Sequence, residues 1–201
     1  MFKSFFVTFL MVLSMSAFAA SEEPDHAIHE ELRLLLQGIE QAVNTEKYTD
    51  MESLFHEKMR VTTINQEVIS SRPEIGVYFN KWFGAGGMLK KLHISLKPDT
   101  LTELYGNNTF GIVRGSGDED YILADGSENA MKTRWTATVI KDTDGKWRIL
   151  SLHIGTNFLD NPILTKAEAS LLYFAGGGFI GGLLLSGLIC FMVCKRKKTA
   201  Q

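Results

Sequence analysis

In this 201-residue chain, four small groups of residues have the types and spacings that chemistry would need. His153 comes first, because an imidazole titrates near neutrality and can act as a general acid or base. It sits late in the run Trp147–Phe158. There Leu150, Leu152 and Ile154 alternate with Trp147, Ile149, Ser151, His153, Gly155 and Asn157. The first set makes a wholly apolar strand face, expected to pack against helices; the second is mixed and suits a polar pocket or a subunit contact. No acid or nucleophile stands at a fixed spacing from His153, so a hydrogen-bonded histidine in a sheet or interface fits better than a catalytic one. Tyr78 and Trp82 are one helical turn apart and either line a cavity mouth or belong to a core stripe. With Trp135, His153 and Asn157 they form the candidate ligand-binding set. His26 and His29 share a helix turn among Glu22, Glu23, Asp25, Glu30 and Glu31, but no third ligand is placed, so no metal is expected. Asp118-Glu119-Asp120 lacks the spacing of a calcium loop and reads as a solvated turn. There is no phosphate-cradling loop or nucleophile elbow, and no cofactor is expected.

The elements that must position these residues follow from periodicity. Ile28, Leu32, Leu35, Leu36, Ile39 and Val43 recur at helical spacing until Asn44-Thr45. Asp50 reads as the cap of a second, short helix with Leu54-Phe55 buried. Arg60–Ile64 and Glu67–Ile69 are β-rich runs joined at Asn65-Gln66. Ser71 caps a third helix with Pro73 in its first turn and Ile75, Tyr78, Phe79, Trp82 and Phe83 as its stripe, stopped by Gly84–Gly87. Strands are expected at Leu89–Leu96, Thr102–Gly115, Arg134–Lys141 and Trp147–Phe158, with Asp142–Gly145 as the last hairpin. Asn107-Asn108-Thr109 has the form of a glycosylation sequon but is read as a polar turn between strands. Residues 115–129, polar and glycine-rich, read as a loop or a loop carrying a short strand. Helices first and a long antiparallel meander after them give an α+β layer.

Both ends of the chain point to a membrane. Met1-Phe2-Lys3, an apolar run from Phe5 to Met15 and Ala17-Phe18-Ala19 have the form of a signal peptide, residues 1–19, ahead of a flexible stretch 20–27. Ala169 to Cys194 is 26 residues without a charge. As a helix it would span ~39 Å, enough to cross a bilayer core. Lys195-Arg196-Lys197-Lys198 would then mark the cytoplasmic end. The expected order is a domain over 28–164, a tether over 165–170, a transmembrane helix over 171–194 and a basic tail over 195–201. The domain would lie outside the cytoplasmic membrane. All 23 acidic residues, but only 16 of the 21 basic ones, fall between Glu22 and Glu168, leaving that span at −7. Such a charge argues against nucleic acid as a partner. Both cysteines, Cys190 and Cys194, lie in the apolar helix, so the domain stands without disulfides, which leans towards a bacterial envelope. Gly177/Gly181 and Gly178/Gly182 give two overlapping G-x-x-x-G spacings for close helix packing, although glycine is frequent in plain anchors too.

The order helix–helix–hairpin–helix–long strands resembles the nuclear-transport-factor-2-like superfamily, in its SnoaL-like branch. The stretches that carry the resemblance are Arg134–Val139, Asp144–Ile149 and Leu152-His153, and the ending Asn157–Leu164 looks like that of a membrane-anchored bacterial subgroup. The resemblance implies a cystatin-like cone: a curved antiparallel sheet wrapped on three N-terminal helices, with an apolar cavity and often a dimer through the outer sheet face. It does not fix an activity. The ketosteroid-isomerase-like members need a carboxylate base and a proton-donating acid; the matching positions here are Thr63 and Ala137, which cannot supply them. The expectation is a membrane-anchored, dimeric module that binds a small hydrophobic ligand or assembles with partners. The alternative is a lyase or isomerase using His153.

Overall fold

The computed structural model describes residues 24–199, with side chains to residue 192; the signal-peptide expectation for 1–19 lies outside the described residues. Helix α1, His26–Asn44, is followed by a 3-10 helix, Tyr48–Leu54, then β1, Phe55–Thr62, β2, Val68–Ile69, and α2, Arg72–Phe83. Five further strands complete the domain: β3, Leu89–Pro98, β4, Glu103–Tyr105, β5, Phe110–Leu123, β6, Glu128–Lys141, and β7, Trp147–Thr156. The second expected helix is thus a 3-10 turn, leaving two α-helices rather than three against the sheet. The sheet runs β2-β1-β7-β6-β5-β3, with β4 paired to β5. It is mixed and not purely antiparallel, because β1 runs parallel to β7, with Val61 opposite Leu152 and Thr62 opposite His153.

The pleat of β6 shows how the sequence builds the cone. Met131, Thr133, Trp135, Ala137 and Val139 are buried while Lys132, Arg134 and Thr136 are exposed, the period of a half-buried strand. Against this inner face α1 lays Leu35, Ile39, Ala42 and Val43, with Leu and Ile contributing about 1.5–3 kcal/mol each on full burial. The same helix covers the free edge of β3. Asn44 donates to the Ile94 carbonyl (2.9 Å) and accepts from its N–H (2.7 Å), and Glu40 accepts from the Leu96 N–H (2.5 Å). These bonds occupy backbone groups that would otherwise be open to strand addition.

The region 115–129, expected as a loop, is mostly the long β5–β6 ladder, closed by a hairpin at Ala124–Ser127. Gly115 and Gly117 mark close approach instead of a turn, whereas Gly126, at φ 84°, belongs to the hairpin. A Cβ on Gly115 would lie 2.3 Å from Trp135 Cζ2 and 2.4 Å from the Lys97 carbonyl oxygen. Conversely, Thr102–Gly115 is divided: Gly106–Thr109 forms the turn between β4 and β5, with Gly106, Asn107 and Asn108 all at positive φ. The Asp142–Gly145 turn is as expected, with Gly145 at φ 81°. It is clamped by Arg148, whose guanidinium donates to Asp142 at 2.7 Å and to Asp144 at 2.7 and 2.6 Å.

Helix α3, Pro162–Thr199, begins directly after the domain. Asn161 caps it, its Oδ1 accepting from the N–H groups of Ile163 (3.1 Å) and Leu164 (3.0 Å), with Pro162 in the first helical position. Residues 165–170 are therefore helix and not a loose tether. Lys166 joins this helix to the start of β6 through the Glu128 carbonyl (3.3 Å) and Asn129 Oδ1 (2.5 Å). The stretch Pro162–Met192 is long and apolar enough to cross a membrane. Its most apolar part runs clear of the domain. The four glycines expected to pack a helix closely, Gly177, Gly178, Gly181 and Gly182, therefore touch no other element among the described residues. A Cβ on any of them would meet nothing within 4 Å. That stripe thus packs against nothing among the described residues, and a helix from another molecule could use it.

Candidate functional site

Between the first half of α1 and the inner sheet face the cone holds a cavity of about 310 Å³. Leu32, Leu35 and Leu36 form one wall and Val113, Trp135, Ala137, Val139 and Ile149 the other. The turn Pro98–Thr102 closes one side. That turn is fixed from outside: Asp99 receives a forked pair of hydrogen bonds from Arg134, one at 2.9 Å, and its N–H donates to the Arg114 carbonyl at 3.0 Å. The Arg134 guanidinium beside Asp99 holds that carboxyl below the usual carboxylate range. The cavity is apolar except at its mouth, where His29, Arg33, Thr100 and Thr102 stand. Beyond His29 it continues into a shallower groove of about 520 Å³ bordered by Pro24, Asp25, Glu103 and Asn108.

Of the five residues expected to bind a ligand, only Trp135 borders this cavity. Its ring lies against Gly115, and its indole N–H donates to the Ser116 carbonyl at 3.0 Å. Trp82 faces the β1–β2 hairpin, donating to Glu67 Oε1 at 2.9 Å, while Lys81 reaches Glu67 Oε2 at 2.8 Å. This saturated carboxylate pins α2 to the hairpin. Tyr78 turns towards the same hairpin, 3.3 Å from Asn65 Oδ1. Asn157 is exposed beyond the end of β7 and accepts from the Leu159 N–H at 3.1 Å.

His153 is exposed on the outer face of the sheet, opposite Thr62 on β1 and Thr136 on β6. The physical reason is a bulge. Thr138 pairs with Ser151 but Val139 pairs with Ile149, so Leu150 is the extra residue and the faces exchange there. Trp147 and Ile149 consequently belong to the core and Leu152 packs against it, while His153 points away. Alternation carried across the whole strand puts Leu150 on the wrong face.

Thr63 and Ala137 are both buried; Ala137 lines the cavity and Thr63 Oγ1 bonds Asn65 Oδ1 at 2.5 Å. Neither offers a titrating group. A carboxyl does lie inside the cone, at a position that the expectation of a solvated 118–120 turn misses. Glu119, on β5, is only 6% exposed. Thr133 Oγ1 lies 2.9 Å from its Oε1, and the Tyr121 hydroxyl bonds its Oε2. Burial raises the Glu119 carboxyl above the ordinary range, and the hydrogen bonds from Tyr121 and Thr133 oppose that shift. Burial and the neighbouring carboxyl also raise the Tyr121 phenol. The sequence signal was available: Gly115, Gly117, Glu119 and Tyr121 stand at period two opposite Trp135, Thr133, Met131 and Asn129. Glu119 does not border the cavity. Among the described residues no cluster of three or more His, Cys, Asp or Glu side chains is arranged to hold a metal ion.

A curled, unclosed sheet around α1 with an apolar interior defines the NTF2-like, or cystatin-like, fold. An NTF2-like superfamily protein from Salmonella enterica superposes with a TM-score of 0.53 at 13% identity, over 65% of this chain and 91% of the other. A protein with a cystatin-like fold from Caulobacter vibrioides gives 0.53 at 15%, over 71% and 96%. ActVI-ORFA from Streptomyces coelicolor gives 0.53 at 10%, over 65% and 98%. At these identities the likeness is one of fold alone. No protein-family model and no curated protein matches the sequence.

Proposed function

We propose that this protein is a membrane-anchored domain that binds a small, predominantly apolar ligand inside its cone. The observation that carries the reading is the cavity of about 310 Å³ whose walls are aliphatic side chains and one indole. Its size is at the lower end of ligand sites, roughly 300–1,000 Å³. The lyase or isomerase alternative loses support. Its base, His153, is on the opposite face of the sheet, and the buried carboxyl of Glu119 lies outside the cavity lining. Helix α3 supplies the anchor, and the signal-like residues 1–19 with the basic run 195–198 support a domain outside the cytoplasmic membrane. Tyr105, Phe110 and Ile112, exposed together where β4 pairs with β5, support a homodimer through that face, and the open stripe of Gly177, Gly178, Gly181 and Gly182 offers a second contact in the same dimer. Sedimentation of the full chain in detergent as a monomer at all concentrations would remove this part.

The test of the cavity uses bromobenzene as a small apolar probe and Trp135 as its reporter, because bromine quenches indole fluorescence on contact. The full chain in lipid nanodiscs should show saturable quenching that disappears in Trp135→Phe. Ala137→Phe, whose ring projects into the cavity, should abolish saturable binding while leaving the unfolding transition in place. Unchanged saturation in Ala137→Phe would show that the probe sits elsewhere.

A further inference from the structure

His29 is the titratable side chain at the cavity that the packing of the domain leaves unused. His29 is 6% exposed and borders both the apolar cavity and the outer groove. Its backbone N–H is held by the Asp25 carbonyl at 3.1 Å, but its imidazole has no hydrogen-bond partner among the described residues. The one buried side-chain nitrogen or oxygen left without a partner among the described residues is Trp147 Nε1, so the His29 ring nitrogens are not enclosed but open onto the groove, where water or a ligand supplies the partner. Of the polar groups around it, the Thr102 hydroxyl, which borders both spaces, also has no partner among the described residues, whereas the charged ones are engaged. Asp25 Oδ1 accepts from Asn108 Nδ2 at 2.9 Å, Glu103 Oε2 accepts from the Tyr105 hydroxyl at 2.7 Å, and Arg33 is paired with Glu30 at 2.6 Å.

The charges at this mouth select among head groups. Among the described residues the outer groove is bordered by two carboxylates, Asp25 and Glu103, and by no lysine or arginine. The guanidinium that lines the cavity, that of Arg33, already faces the Glu30 carboxylate. An anionic head group would meet like charge here. An uncharged hydroxyl or carbonyl meets none, and imidazole can either accept from the first or donate to the second.

We propose that His29 is the recognition residue for an uncharged hydrogen-bonding group, a hydroxyl or carbonyl, on a small ligand whose apolar body fills the cavity. This rests on the cavity being the binding site. Its carrying observation is separate: an imidazole packed into the junction of cavity and groove, its nitrogens open to the groove and without a protein partner among the described residues.

The test compares bromobenzene, 4-bromophenol and 4-bromobenzoate on the nanodisc-held full chain, by Trp135 quenching with Trp135→Phe as the blank. One added buried hydrogen bond should make 4-bromophenol bind roughly 5-fold tighter than bromobenzene, with 4-bromobenzoate the weakest of the three. His29→Leu should remove the phenol advantage and keep bromobenzene binding. His29→Gln, which retains hydrogen-bonding groups, should keep part of the advantage and guards against a Leu variant that misfolds. Equal binding of the phenol and bromobenzene, tightest binding by the benzoate, or a phenol advantage that survives in His29→Leu overturns the inference while the cavity reading stands. No Trp135-dependent quenching by any probe sinks both.

Discussion

Replacing Glu119 by Gln tests whether the carboxyl buried on β5 is a structural acid held in its neutral form. Its elevation comes chiefly from burial, with the hydrogen bonds from Tyr121 and Thr133 acting against it. A carboxyl raised in the folded state binds more protons folded than unfolded between its two pKa values. Its stabilisation is therefore complete below the unfolded value, about 4.3 for Glu, and is lost as pH rises through the folded value. Gln keeps the shape and most of the hydrogen bonding without titrating. Each unit of elevation is worth about 1.4 kcal/mol, so Glu119→Gln should gain on the wild type by that much per pH unit, then level off where the folded carboxyl ionises. Urea unfolding of the lipid-held full chain from pH 4.5 to 8.5, followed by tryptophan emission, reads the difference. Taking the difference cancels groups common to both proteins. Glu119→Ala behaves otherwise: Thr133 Oγ1 still has the Gly117 carbonyl at 3.3 Å, but the Tyr121 hydroxyl loses its partner. One orphaned hydroxyl costs about 1–3 kcal/mol near neutrality. A Gln–wild-type difference that does not change with pH would refute the reasoning, because it would mean that the carboxyl titrates alike in both states.

Three further outcomes follow from packing and charge. Gly115→Ala forces a Cβ to within 2.3 Å of Trp135 and 2.4 Å of the Lys97 carbonyl oxygen; overpacking of this kind should cost about 1–3 kcal/mol in urea unfolding and shift the tryptophan emission. The Arg148 guanidinium and local N–H donors lower the Asp142 and Asp144 carboxyls, so the stability of that turn is present above the ordinary carboxylate range and lost as pH falls through the folded values. Arg148→Met should therefore flatten the acid limb of the stability curve, with a limb as steep as the wild type's counting against the clamp. Asn161→Ala removes the acceptor of two α3 amides; it should cost the helix start about 1 kcal/mol and speed hydrogen exchange at Ile163 and Leu164.

What the sequence made legible was local. The apolar period of α1, the Ser71–Pro73 entry to α2, the Asp142–Gly145 turn and the 26-residue uncharged run are each written in adjacent residues, and each reappears in the structure. The losses occur where distant residues decide. Gly115 and Gly117 look like loop residues until Trp135 and Thr133 are seen occupying the space of their missing side chains. Gly181 and Gly182 carry the opposite lesson, since the same residue type on α3 borders open space and packs against nothing among the described residues. Leu150 looks like a core residue until the β6–β7 bulge exchanges the strand faces. The parallel β1–β7 pair joins segments about ninety residues apart, and no local period announces it. The candidate site suffered most: Trp135 belongs to the set expected to bind a ligand and does border the cavity, but the sequence offers His29 only as half of an incomplete metal pair.

The two interior polar features lie towards opposite ends of one ladder, and their bonding separates their roles. Lys166 joins α3 to β6 at Glu128 and Asn129, whereas the cavity meets β6 at Trp135, Ala137 and Val139. From Glu128 to Ala137 is about 30 Å along an extended strand. Glu119, opposite Met131, lies towards the anchored end. There the acid has two hydroxyl partners and its chain neighbours continue the ladder, so its polar valences are closed by the fold. His29 lies at the other end, beside the opening, and its ring is closed by nothing among the described residues. If α3 is the anchor proposed above, a ligand entering at His29 would approach the end of the domain remote from α3, through the aqueous space and not laterally from the bilayer. Substitutions in the apolar helix that leave the domain folded should then leave probe binding unchanged, whereas closing the mouth with Thr102→Trp should slow both association and release.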